Sequence, residues 1–321
     1  MPSPAPDGGN HPVGDIRRLH PDLDALIAPD ARPEQLAGGF IFTEGPLWRP
    51  NGVLWFSDIP GNVVRQWSPD GTITEILRPG GYDGNSLPPG FIGPNGATAG
   101  PDGSVLLCQH GNRRIVRIDR DRHLTTVVDR LDGRRLNSPN DVVFRSDGRM
   151  YFTDPPYGLP KQDEDPDKEL PWNGVFMLVD GRLEPLVTTH TRPNGLAFSP
   201  DEQTFYLANS DADHRYWMRY DVDRDGALRH GVVFADGSRA PEPGLPDGLK
   251  IDSLGHIYAT GPGGVWVFTP GGRHLGTIVL PELPANLAWG DADWRTLYIT
   301  AETGLYRLRT LVQGQRLVHE E

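Results

Sequence analysis

Apolar and polar positions along this chain fall into one recurring unit: a polar residue, often after Pro, then a short apolar run, a turn, and a second β-rich run. The copies begin at Glu44 (TEGPLWRPNGVLWFSD), Asn95 (PNGATAGPDGSVLLCQ), Asn140 (PNDVVFRSDGRMYFTD), Asn194 (PNGLAFSPDEQTFYLAN), Asp247 (PDGLKIDSLGHIYATG) and Asn286 (ANLAWGDADWRTLYITA). These anchors lie 51, 45, 54, 53 and 39 residues apart, and the turn follows eight residues after the anchor at Gly52, Gly103, Gly148 and Gly255 and nine at Gln203 and Arg295. Each copy continues into a third β-rich run, such as Val63 to Trp67 or Val265 to Phe268, and most into a fourth, as at Ile73 to Leu77. Short runs broken by Asp-Gly and Gly-Gly predict antiparallel strands joined by hairpins. A fixed period of several tens of residues predicts a radial array. The expected fold is therefore all-β, a six-bladed propeller, with no long helices.

The sixth copy lacks an outer strand after Leu308, so the segment Pro33 to Phe40 is expected to complete that blade, with Gln315 to His319 as the competing donor. Residues 1 to 15 read as a disordered tail, and residues 16–321 as a single propeller domain. The stretch Pro160 to Trp172 reads as a charged loop rather than a further blade.

Composition narrows the function. The 31 basic and 43 acidic residues give a formal net charge of -12, which repels phosphate backbones and anionic lipid, so neither nucleic acid nor membrane is expected as a partner. The only lysines are Lys161, Lys168 and Lys250, and the single cysteine, Cys108, lies in an apolar run and reads as buried filler. With no disulfide, signal peptide or apolar run of about 20 residues, a cytoplasmic protein is expected. No Gly-x-Ser-x-Gly elbow, His-Glu-x-x-His or Gly-x-Gly-x-x-Gly occurs. Asp221 to Gly226 mimics the start of an EF-hand loop, but Val232 stands where a bidentate Glu is required, so it reads as a hairpin turn.

In a propeller the first strand of each blade lines the central channel, so the six anchors form a ring at one depth. Four are Asn and two, Glu44 and Asp247, are acids. Converging buried oxygens are costly unless paired or bound to a cation. An oxygen-only set suits one hard divalent cation, Ca²⁺ first, with Mg²⁺, Mn²⁺ or Zn²⁺ as alternatives. The competing reading is that each Pro-Asn-Gly is simply a turn.

The strings FTEGPLW from Phe42, SPND from Ser138, YFTDPPYGL from Tyr151, RPNGL from Arg192 and PDG from Pro246 resemble the gluconolactonase, regucalcin (senescence marker protein) and luciferin-regenerating enzyme-like family, in family order and over nearly the whole chain. The resemblance implies a metal-dependent lactonase that opens a sugar lactone such as gluconolactone. It implies metal ligands Glu44, Asn194 and Asp247, with Asn140 at the metal or at the substrate beside it, and Asp247 as the catalytic carboxylate, acting as general base or nucleophile. Where regucalcin-like members carry Arg, this chain has Ser138. Asn95, His110, Asn140 and Tyr157 are the expected substrate contacts. Asp58 and Asp154, at one repeat position with Gln109 and Asn209, are expected to brace loops. More distant relatives with this architecture hydrolyse other esters, so a phosphotriesterase or aryl-esterase stays open, as does a non-catalytic propeller that binds proteins. Oligomeric state stays open too.

Overall fold

The computed structural model describes residues 12–86 and 90–319. Among these, the strands form five four-stranded sheets, one five-stranded sheet and a two-stranded ribbon at Arg130–Leu131 and Arg134–Arg135. The innermost strands Thr43–Arg49, Pro94–Ala99, Val142–Phe144, Pro193–Phe198, Leu249–Ile251 and Pro284–Gly290 touch one another in that cyclic order, the last meeting the first. This is a six-bladed propeller with antiparallel ladders throughout, and its blade strands follow the β-rich runs, whereas Asp15–Arg18 and the two-stranded ribbon match none of them.

Burial follows the blades. Apolar clusters sit between neighbouring sheets, for example Leu47, Val64, Val105 and Val116 between blades one and two, and Trp48 stacks on Tyr298 at 5.2 Å between blades one and six. Cys108 is buried in such a cluster, as filler. Asp221 to Gly226 forms the hairpin between Arg215–Val222 and Leu228–Asp236, its Asp223 carboxylate accepting from the Asp225 and Ala227 N–H groups.

The last blade is completed from the N-terminal side: Glu34–Gly38 pairs antiparallel with Gly304–Arg309, Glu34 opposite Arg307. The C-terminal segment, the other candidate donor, straps the channel instead. Gly314 N donates to Trp294 O at 2.7 Å, Gln315 N to Ile251 O at 3.0 Å, and His319 packs edge-on against Phe144. Residues 1–11 of the expected tail lie outside the described residues, but the tail does not extend to residue 15. Pro12 bridges Glu34, and Asp15–Arg18 adds a fifth strand to blade five, because Ile16 buries its side chain there. No helix among the described residues is long and apolar enough to cross a membrane.

Candidate functional site

Four of the six anchors sit where the inner strands slip register, between Glu44 and Leu47, Pro94 and Ala97, Pro193 and Leu196, and Pro284 and Asn286, while Asn140 and Asp247 lie two residues ahead of Val142–Phe144 and Leu249–Ile251. In four blades the next residue is Gly. The reason is contact rather than turn formation. A Cβ on Gly45 would lie 2.0 Å from Asn95 O, and one on Gly195 2.2 Å from Asp247 O. The backbones instead bond blade to blade, with Gly96 N donating to Asn140 O at 2.8 Å and Gly248 N to Ala285 O at 2.7 Å. The Pro-Asn-Gly strings are thus bulges that press adjacent strands together and turn the anchor side chains into the channel.

Glu44, Asn95, Asn140, Asn194 and Asn286 are all buried there, and Asp247 is partly buried. Glu44 Oε2 accepts from Gly45 N and from Asn286 Nδ2, the latter at 2.9 Å. Asn194 lies beside the Asp247 carboxyl, and the Oδ1 atoms of both residues are buried without a hydrogen-bond partner. Burial and then the Asp141 carboxylate push Glu44 up to about 7. Burial, then Glu44, then Asp141 push Asp247 well above the usual carboxylate range. These groups repel one another as anions and leave oxygens unsatisfied, which fits a site that takes a divalent cation.

The substrate positions divide. Tyr157 lies beside Asn194 and Asp247, and its hydroxyl donates to Ser210 O at 3.2 Å. Asn140 reaches the ring, its carbonyl engaged by blade two. His110 is not a residue of the open mouth. It is buried, with Nδ1 at 2.9 Å from Phe91 O and Nε2 at 2.9 Å from Asn95 Nδ2. A carbonyl can only accept, so Nδ1 carries the proton and Nε2 accepts from the amide. Burial holds His110 down to about 4. The imidazole therefore orients Asn95, whose Oδ1 is left buried and unpaired. Ser138 accepts from Gly158 N at 2.8 Å and donates to Pro155 O at 2.6 Å, pinning the loop that carries Tyr157.

The loop braces are as expected. Asp58 accepts from Ile41 and Phe42 N, Gln109 donates to Gly80 O, Asp154 accepts from Asn137 N, and Asn209 accepts from Arg192 N. Burial pushes Asp154 up to about 7. Two channel residues escape a reading of the anchors alone. Asp141 occupies the position that is Gly in four other blades, and Lys250, three residues past Asp247, places Nζ 3.9 Å from Asp141 Oδ2. The Asp was visible as a break in the Gly pattern; the Lys had no such mark. Asp119, Asp121 and His123 also cluster, but at an exposed hairpin turn where Asp119 accepts from the Asp121 and His123 N–H groups.

Fold and ring together define a propeller whose channel mouth is an all-oxygen, acid-bearing site. Residues 42–303 match the family described as SMP-30/Gluconolactonase/LRE-like region, and the chain belongs to it. The gluconolactonase of Zymomonas mobilis is 39% identical over 315 residues, covering 94% of this chain and 88% of its own. The pentonolactonase of Haloferax volcanii is 30% identical over 270 residues, 81% of each chain. The solved structure of a gluconolactonase from Xanthomonas campestris superposes with a TM-score of 0.81 at 35% identity, covering 96% of this chain and 97% of that one.

Proposed function

We propose that this protein is a sugar-lactone lactonase whose channel mouth binds one divalent cation through Glu44, Asn194 and Asp247, with Asn140 beside them. Lactonase relatives that span at least four fifths of the chain support the reaction class and leave the non-catalytic scaffold without support. The observation that carries the site is the pair of unpartnered buried oxygens, Asn194 Oδ1 and Asp247 Oδ1, next to Glu44. An all-oxygen donor set fits Ca²⁺ best among Ca²⁺, Mg²⁺, Mn²⁺ and Zn²⁺.

When bound, the cation supplies Lewis-acid polarisation of the lactone carbonyl and offsets the ring's negative charge. The side chains do the rest. Asp247 accepts a proton from the attacking water at a carboxylate oxygen and returns it to the ring oxygen as the acyl C–O bond breaks, giving the hydroxy acid. Asn95, held by His110, offers Oδ1 to a sugar hydroxyl, and the Tyr157 ring walls the site beside Asp247. Ser138 keeps that wall in place.

The test is acid release from glucono-1,5-lactone, corrected for spontaneous hydrolysis, on chelator-stripped protein with each ion added back singly. Turnover is expected only with added ion, Ca²⁺ among the effective ones. Full turnover by stripped protein overturns the cation role. Hydrolysis of aryl esters or phosphotriesters but of no lactone overturns the substrate class.

A further inference from the structure

The charge in the channel does not close on Glu44 and Asp247. A third carboxylate, Asp141, is 3% exposed; its Oδ1 accepts from Val142 N at 2.9 Å, while Oδ2 has no hydrogen-bond partner. Facing Oδ2 at 3.9 Å is Lys250 Nζ, whose side chain is 13% exposed. Lys250 Nζ also donates to Asn286 Oδ1 at 3.4 Å and to Leu249 O at 3.1 Å, and Asn286 Nδ2 donates to Glu44 Oε2 at 2.9 Å. One chain of contacts thus runs from Asp141 in blade three through Lys250 in blade five and Asn286 in blade six to Glu44 in blade one. Burying this ammonium and carboxylate, the Asp at a position that is Gly in four other blades, costs more in desolvation than an apolar pair of the same shape.

We propose that Lys250 is the channel's resident counter-cation: with Asp141 it sets the affinity of the ring for its divalent ion. The sum supports it. Among the described residues, the three channel carboxylates Glu44, Asp141 and Asp247 set against one ammonium and one divalent ion balance, whereas without Lys250 one negative charge is left over. This rests on the cation reading above, and Lys250 acts through its charge rather than as a catalytic residue.

The test is calorimetric titration of Ca²⁺ into the chelator-stripped full chain at pH 8, for wild type, Lys250→Met, Asp141→Asn and the double variant, with near-ultraviolet circular dichroism to confirm packing. Lys250→Met should tighten Ca²⁺ binding and Asp141→Asn weaken it, each on the order of tenfold, the sign following the charge removed. The double variant should return to within about threefold of wild type, since the two changes cancel. A structural role alone would loosen both single variants and would not be rescued. Unchanged or weaker binding by well-packed Lys250→Met overturns the proposal, as does a double variant no closer to wild type than Asp141→Asn. If Lys250→Met does not fold, that last comparison decides. Absence of divalent binding by wild type overturns the cation reading itself, a separate result.

Discussion

At one end of the channel the six inner strands present Glu44, Asn95, Asn140, Asn194, Asp247 and Asn286. A few residues further along, the same strands present Leu47, Ala97, Val143, Leu196, Ile251 and Trp289 around a cavity of about 420 Å³. The C-terminal strap closes that second end, with Gly314 so near Trp289 that a Cβ would lie 1.9 Å from its ring. The apolar end is satisfied by burial, worth roughly 1.5–3 kcal/mol for each large side chain. The polar end holds unpartnered oxygens on Asn95, Asn194 and Asp247, each costing about 1–3 kcal/mol when nothing is bound, and an Asp141 oxygen that only the Lys250 ammonium faces, at 3.9 Å. One strand therefore carries both kinds of end: the unpartnered oxygens gather at the polar end, whereas the apolar end leaves one indole N–H, that of Trp289, without a partner. Incompleteness, rather than cavity size, marks the site: the cavity of about 420 Å³ between the inner strands lies at the apolar end.

Three measurements would break or sharpen that contrast. At the polar end, Asp247→Asn keeps shape but removes the proton acceptor, so lactone turnover should fall about 10³-fold or more with the melting profile retained; turnover within tenfold of wild type would remove Asp247 from the chemistry. At the apolar end, Trp289→Ala should cost about 3–5 kcal/mol in denaturant unfolding while kcat/KM of the folded enzyme stays within about twofold. A large loss of kcat/KM with little loss of stability would mean that the two ends are not separable.

The smallest effect is in acid. Burial holds both His110, at the polar end, and His190, bonded to Tyr216 and Tyr220 at the edge of blade four, down to about 4. The unfolded chain therefore takes up protons first, near pH 6.5, and each imidazole's contribution is lost as pH falls from there toward 4. Asp154, raised to about 7, works oppositely: the folded chain holds its proton longer, so its contribution is lost as pH rises through 7. Comparing His110→Gln with wild type isolates the imidazole. The variant should lose about 1–2 kcal/mol less stability between pH 8 and pH 5. An identical acid response in the two proteins would place His110 in solvent.

Much of this was legible along the chain, because a propeller repeats its local pattern. The alternation in Val53–Asp58 or Val105–Gln109, the Gly turns and the six anchors each depend on neighbours a few residues away. Even the closing strand Glu34–Gly38 could be inferred from the strand missing after Leu308. The strand at Asp15–Arg18 could not, since its partner Gly276 to Val279 is remote and nothing local marks the pairing. His110, expected as a substrate contact, sits in a polar loop string, and only the packing of Phe91 and Asn95 around it shows that it is buried.

By itself, then, the sequence determined the number of blades, the ring of oxygen-bearing anchors and the family, since each is written in short-range patterns or ordered motifs. Only the tertiary structure decided that the Gly after four anchors is a point of contact between blades. It also decided that Asp141 and Lys250 meet across the channel and that the C-terminus straps its far end. These depend on residues brought together from different blades, where burial strips away water and makes each charge's partner a matter of three-dimensional distance.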